Sequence, residues 1–126
     1  MDQRILIIDG HPVYAHKTIE FLRGLSFTDI QLAKTGKQGI DEIRSKNPDL
    51  VILSSMLSDM DSLEACKVIH ELTNGFAKII IQIGLAIEVK MIEQFTDYGA
   101  DVVLMRKEKD LQPLQRAIEE LFLNKA

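Results

Sequence analysis

The sequence predicts an open α/β sandwich, a (βα)5 chain whose strands lie in one parallel sheet. Two observations carry this. Four short runs, Ile5-Leu6-Ile7-Ile8, Leu50-Val51-Ile52-Leu53, Ile79-Ile80-Ile81 and Val102-Val103-Leu104-Met105, are continuously apolar and rich in β-branched residues. Strands covered on both faces read this way. Between the runs lie stretches with helical spacing and identifiable starts, and right-handed crossovers then place helices on both faces of the sheet.

Each element has a local reason. Pro12 suits the first position of a helix, where its fixed φ helps and its missing N–H costs nothing. Ala15, Ile19 and Leu22 then share one face. Ile30-Gln31-Leu32-Ala33 is interrupted by a polar residue and is placed at a sheet edge. Thr35 with Gln38, and Asp61 with Glu64, have capping-box spacing and open the next two helices. Cys66, Ile69 and Thr73 line one side of the helix after Asp61, and Gln82 interrupts the otherwise apolar fourth strand. A helix is expected from about Ala86 to Tyr98, with Met91, Phe95 and Tyr98 covering the sheet. Val89 and Ile92 fall on a second line that is expected to stay partly exposed. Leu111, Leu114, Ile118 and Leu121 form a last amphipathic stripe, opened by Asp110.

Composition narrows the function classes. With 126 residues, the chain is expected to form one domain, 1–126. Hydrophobic residues at 46% and charged residues at 27% argue against disorder and coiled coil. A formal net charge of −4 lacks the basic surplus of a nucleic-acid binder, so no direct nucleic-acid binding is expected. The single cysteine, Cys66, excludes an internal disulfide and suits a reducing compartment. No apolar run is long enough to span a bilayer, and Met1-Asp2-Gln3-Arg4 does not open a signal peptide. The expectation is a soluble, cytoplasmic domain without a membrane role.

In open α/β sheets the functional crevice lies beyond the carboxyl ends of the strands. That rule selects Asp9-Gly10-His11, Ser54-Ser55, Gly84 and Arg106-Lys107. Several site types are excluded there. Thr35-Gly36-Lys37-Gln38-Gly39 lacks the earlier glycine and the following hydroxyl of a phosphate-cradling loop. No dinucleotide fingerprint follows a strand. His11, His16 and His70 lack metal-ligand spacing and read as surface or capping residues, and Cys66 reads as a small core hydrophobe.

Read in order, Arg4-Ile5-Leu6-Ile7-Ile8-Asp9-Gly10-His11-Pro12 resembles the opening of response-regulator receiver domains. Pro48-Asp49-Leu50-Val51-Ile52-Leu53 resembles the strand that presents their phosphoacceptor. Met60-Asp61-Ser62-Leu63-Glu64 is similar to the following helix start, and Gly99-Ala100-Asp101 to the lead-in of strand five. The resemblance covers essentially the whole chain, and it implies a flavodoxin-like sheet in the order 2-1-3-4-5, two helices on one face and three on the other.

The resemblance also implies a Mg²⁺-dependent pocket, and here the chain departs from the family. Receivers hold the metal between two adjacent acids after strand one and the phosphoacceptor aspartate after strand three. Here those positions are Asp9, Gly10 and Ser54. One carboxylate is left for a hard cation that needs carboxylate charge, and serine cannot form an acyl phosphate. The switch hydroxyl falls on Gly84, the switch aromatic on Val103, the lysine on Arg106 and the following proline on Lys107. Arginine keeps the charge but not the compact ammonium. Arg106 is expected to fill the emptied pocket and pair with Asp9.

The sequence thus reads as a degenerate receiver, a two-component signalling module without phosphorylation at the usual site, without enzymatic activity, cofactor or metal. It is expected to bind a protein partner or to self-associate, with Val89, Ile92 and Val103 on the docking face, rimmed by Glu88, Glu93 and Lys107. Three alternatives stand beside it: a receiver regulated through Ser54 modification or a small ligand, a flavodoxin-like cofactor binder or small enzyme, and the regulatory piece of a longer DNA-binding regulator.

Overall fold

Alternation within the strands divides the core in two. In β1 (Ile5–Ile8), Ile5 and Ile7 face one way while Leu6 and Ile8 face the other, and all four are buried. β3 (Leu50–Ser54) and β4 (Lys78–Ile83) divide in the same manner, so both sheet faces need cover. The computed structural model describes residues 3–84, 89–106 and 110–123.

The remaining elements supply that cover. In chain order they are α1 (Pro12–Gly24), β2 (Ile30–Ala33), α2 (Gly36–Lys46), α3 (Ser62–Leu72), α4 (Val89–Asp97), β5 (Val102–Met105) and α5 (Gln112–Ile118), which continues as a π-helical turn over Glu119–Leu123. The five strands are parallel in the order β2-β1-β3-β4-β5, with β2 at an edge as its sequence predicts. Leu22 of α1 and Leu114, Ala117 and Ile118 of α5 close one face. Ile43 of α2, Ala65, Cys66 and Ile69 of α3, and Phe95 of α4 close the other. Two helices against three is the expected division.

Helix starts follow the sequence, with two differences of detail. Pro12 occupies the first turn of α1, and His11 caps it, Nδ1 accepting from the Tyr14 N–H. Thr35 caps α2 through the Gln38 N–H, but the Gln38 amide oxygen returns to the Lys34 N–H, one residue before the cap. Asp61 caps α3 through the Leu63 N–H, and Glu64 makes no return bond among the described residues.

Two stripes are corrected. Leu111 precedes α5 rather than lying within it, Asp110 accepts from the Gln112 N–H, and the buried stripe is Leu114, Ala117 and Ile118. In α4, Phe95 alone is buried, whereas Met91 and Tyr98 stay exposed. This helix is nine residues long and rests on the sheet through that one aromatic, too short a contact to draw in residues a turn away on either side. Tyr98 instead holds α3 from the surface: its carbonyl oxygen accepts the Cys66 thiol at 3.7 Å and its ring lies under the Lys67 ammonium. Residues 85–88 of the expected helix lie outside the described residues.

Candidate functional site

Strand register decides which residues meet. Ile8 aligns with Leu53, Leu53 with Ile81, and Ile83 with Met105. Ser54, the last residue of β3, and Asp9, Gly84 and Arg106, which follow β1, β4 and β5, therefore meet at the same end of the sheet, where a crevice is expected. An open cleft of about 560 Å³ lies there, lined by Gly10, His11, Lys34, Ser54, Met56 and Arg106 among others.

Asp9 and Arg106 form a buried ion pair. Their side chains are 3% and 5% exposed, and Arg106 Nη2 donates to Asp9 Oδ2. The other carboxylate oxygen accepts the His11 N–H at 2.9 Å. The Arg106 guanidinium carbon stands 4.2 Å from the centre of the Tyr14 ring, so its cation is held between a carboxylate and a π face. Arg106 Nε is buried without a hydrogen-bond partner. The expected pair is present. Tyr14, which the sequence did not single out, completes it from the first turn of α1.

Ser54 is also buried, and its hydroxyl is occupied. Oγ accepts from the Met56 N–H at 3.0 Å and donates to the Met56 carbonyl at 3.3 Å, while the Ser54 carbonyl accepts the Ser62 hydroxyl. Neighbouring Ser55 reaches β4, where its Oγ accepts the Gly84 N–H. Both glycines of the crevice are closely approached. A Cβ on Gly10 would stand 2.9 Å from the Lys34 carbonyl oxygen, so any side chain there demands a backbone shift. A Cβ on Gly84 would stand 2.9 Å from Met56 Sδ, a flexible end that can move.

The loop between β3 and α3 is tied down by a residue the sequence reading missed. Asp59 accepts the Gly36 N–H at 2.8 Å on one oxygen and the Lys37 N–H at 3.0 Å on the other, capping α2 from another loop. The Lys37 and Gly36 N–H bonds hold its carboxyl below the ordinary value of 3.8. Met60 packs beside it in the space above Gly36. No local signal marks Asp59, because its partners are more than twenty residues earlier.

A model of the response regulator receiver domain matches residues 5–119. This chain belongs to that family. The receiver sequence is 25% identical over 117 residues to the "Probable C4-dicarboxylate response regulator DctR" of Priestia megaterium, covering 92% of this chain and 50% of that protein. It is 38% identical over 70 residues to the DNA-binding response regulator MtrA of Mycolicibacterium smegmatis, covering 56% of this chain and 30% of that one. The chain thus spans half or less of the length of these relatives. Among solved structures, a two-component response regulator from Clostridium difficile superposes with TM-score 0.88 at 28% identity, covering 98% of both chains. A receiver from Methanospirillum hungatei superposes at 0.85 with 25% identity, covering 94% of this chain and 92% of the other.

Against the receiver pattern, the structure brings Asp9, Ser54, Gly84 and Arg106 together at the crevice. Val103 is half-buried in β5 against the α2–α3–α4 side of the core, while Val89 is 72% exposed and Ile92 36% exposed on α4. Lys107 and Glu88 lie outside the described residues. Among the described residues no group of three acids, histidines or cysteines is placed to hold a metal ion. Asp9 is the crevice's one carboxylate from the family's metal set, and both its oxygens are engaged by the protein. The set does not fit Mg²⁺. No described helix is long and apolar enough to cross a membrane.

Proposed function

We propose that this receiver domain signals by binding a protein partner, without Mg²⁺ and without phosphorylation at the usual position. The observation that carries this reading is the Asp9–Arg106 pair: the remaining acid of the metal set is already neutralised by a guanidinium from the chain itself. Its support extends to Ser54, whose hydroxyl is 2% exposed by residue and bonded to the Met56 backbone. That placement also weighs against Ser54 as a modification site. Gly84 and Val103 offer neither the hydroxyl nor the aromatic ring through which receivers report a phosphoryl group.

The docking face we infer runs along α4 and β5, around Val89, Ile92 and Val103, where apolar side chains stand exposed or half-buried. The partner is a protein of a two-component pathway or a second copy of this chain. The domain itself contributes no enzymatic step and no nucleic-acid contact in this reading, and its compartment is the cytoplasm, consistent with the buried free thiol of Cys66.

Amide NMR tests the core of the proposal. Titration with MgCl₂, then with acetyl phosphate or beryllofluoride, is expected to leave the Asp9, Ser54 and Gly84 resonances in place. Sub-millimolar Mg²⁺ affinity, or a stoichiometric mass increase on Ser54, would overturn it.

A further inference from the structure

The space above Gly84 is shared by the side chains of Met56 and Arg106. The point where a Cβ would stand is 2.9 Å from Met56 Sδ and 4.0 Å from Arg106 Nη1. Arg106 is short of acceptors there. Its bond to Asp9 uses Nη2, Nε is buried without a partner, and Nη1 makes no hydrogen bond among the described residues. A thioether is a weak acceptor, whereas a sulfoxide oxygen is a strong one. Met56 is also 58% exposed, more than Met91 at 36% or Met105 at 47%.

We propose that Met56 is a reversible oxidation site whose sulfoxide is read by Arg106. The co-reactant is a peroxide. With hydrogen peroxide, the sulfur lone pair attacks one oxygen, an S–O bond forms, the O–O bond breaks, and the leaving hydroxide takes the proton of the transferred O–H, giving a neutral sulfoxide and water. Sulfur is oxidised by two electrons and the peroxide is reduced by two. The product replaces an apolar contact on Gly84 with a polar, chiral group. Its oxygen then competes for the guanidinium that otherwise serves the Asp9 carboxylate and the Tyr14 ring. The modification thereby acts on the buried Asp9–Arg106 pair of the crevice, through a chemistry unrelated to phosphoryl transfer. It does not depend on which partner the domain binds.

The test is limited hydrogen peroxide treatment of the whole chain, read by peptide mass spectrometry and NMR. The Met56 sulfoxide is expected to form before that of Met91 or Met105. The Gly84 amide and the Arg106 Nε–H resonances are expected to shift in step with it and to return on treatment with methionine sulfoxide reductase. Met56→Leu, a near-isosteric change at an exposed site, should abolish both shifts while Met91 and Met105 still oxidise. Earlier oxidation of Met91 or Met105, a Met56 sulfoxide that leaves Arg106 unmoved, or shifts that persist in Met56→Leu would each overturn the proposal.

Discussion

On its α2 side, the loop between β3 and α3 is fastened by directional bonds, with both Asp59 oxygens on backbone N–H groups and Met60 seated over Gly36. On its β4 side, Met56 lies against Gly84 through a flexible thioether, beside a guanidinium with unused donors. The Ser55 hydroxyl adds one bond there, at 3.3 Å. One flank of the crevice is thus set by hydrogen-bond geometry and helix capping, the other by packing around a single ion pair. In a receiver fold the second flank leads through β4 and β5 toward α4. The contrast teaches where this chain keeps room for change: beside Arg106, away from α2.

The largest effect is expected from breaking the ion pair. Arg106→Met leaves the Asp9 carboxylate buried without its cation, and removal of one partner of a buried pair costs about 3–5 kcal/mol. Urea unfolding measures the loss. Adding Asp9→Asn to Arg106→Met should restore much of it, since no uncompensated charge then remains. A single-variant loss below about 1 kcal/mol would mean that the pair behaves as a solvated one.

Glycine substitutions sharpen the comparison on its two flanks. A Cβ on Gly39 of α2 would meet Ile8 Cδ1 at 2.3 Å and Cγ1 at 2.7 Å, inside the core. Alanine gains roughly 1 kcal/mol over glycine within a helix, but overpacking a core costs about 1–3 kcal/mol. Gly39→Ala is therefore expected to destabilise despite its better helix propensity. Gly84→Ala meets only the far end of Met56 and should stay within about 0.5 kcal/mol of the parent. Equal losses at the two positions would erase the distinction between the flanks.

The same distinction explains what the sequence disclosed. Fold class was legible because strands buried on both faces leave continuous runs such as Leu50-Val51-Ile52-Leu53, and because Gln31 marks an edge. Asp9, Ser54, Gly84 and Arg106 were legible because each ends or follows a strand, and the parallel register brings strand ends together. Asp59 and Met56 were not. Asp59 bonds across 22 and 23 residues to the start of α2, and Met56 touches Gly84 at the end of a different strand, between segments whose sequences carry no shared period. Met91 and Tyr98 misled for a related reason. Helical spacing shows which residues share a line, but only the length of sheet beneath α4 decides how many of them are covered.

Acid titration probes the fastened flank. Bonds from the Lys37 and Gly36 N–H groups lower the folded-state pKa of Asp59 below the unfolded value of 3.8. Its contribution is thus fully present above that value and is lost as pH falls through the lower folded pKa, because the unfolded chain takes up the proton first. Unfolding midpoints should fall more steeply below pH 3.8 in the parent than in Asp59→Ala. Identical acid slopes would show that the carboxylate adds nothing to the α2 cap.

The smallest effect on stability is expected at the far end of the adaptable flank. Ile92 is 36% exposed on α4, and Phe95 is the buried anchor of that helix. Replacing Ile92 removes little apolar area from the core, and surface changes of this kind stay within about 0.5 kcal/mol. A glutamate there does place a charge on the helix that carries Val89 and Met91, both exposed apolar side chains. If those residues dock a partner or a second copy, Ile92→Glu must desolvate that charge on binding and should weaken association while the melting temperature holds. Sedimentation of the chain alone and capture with its pathway partner read the two cases. A large fall in melting temperature would place Ile92 in the core. Unchanged association at full stability would move the docking face away from α4 and β5.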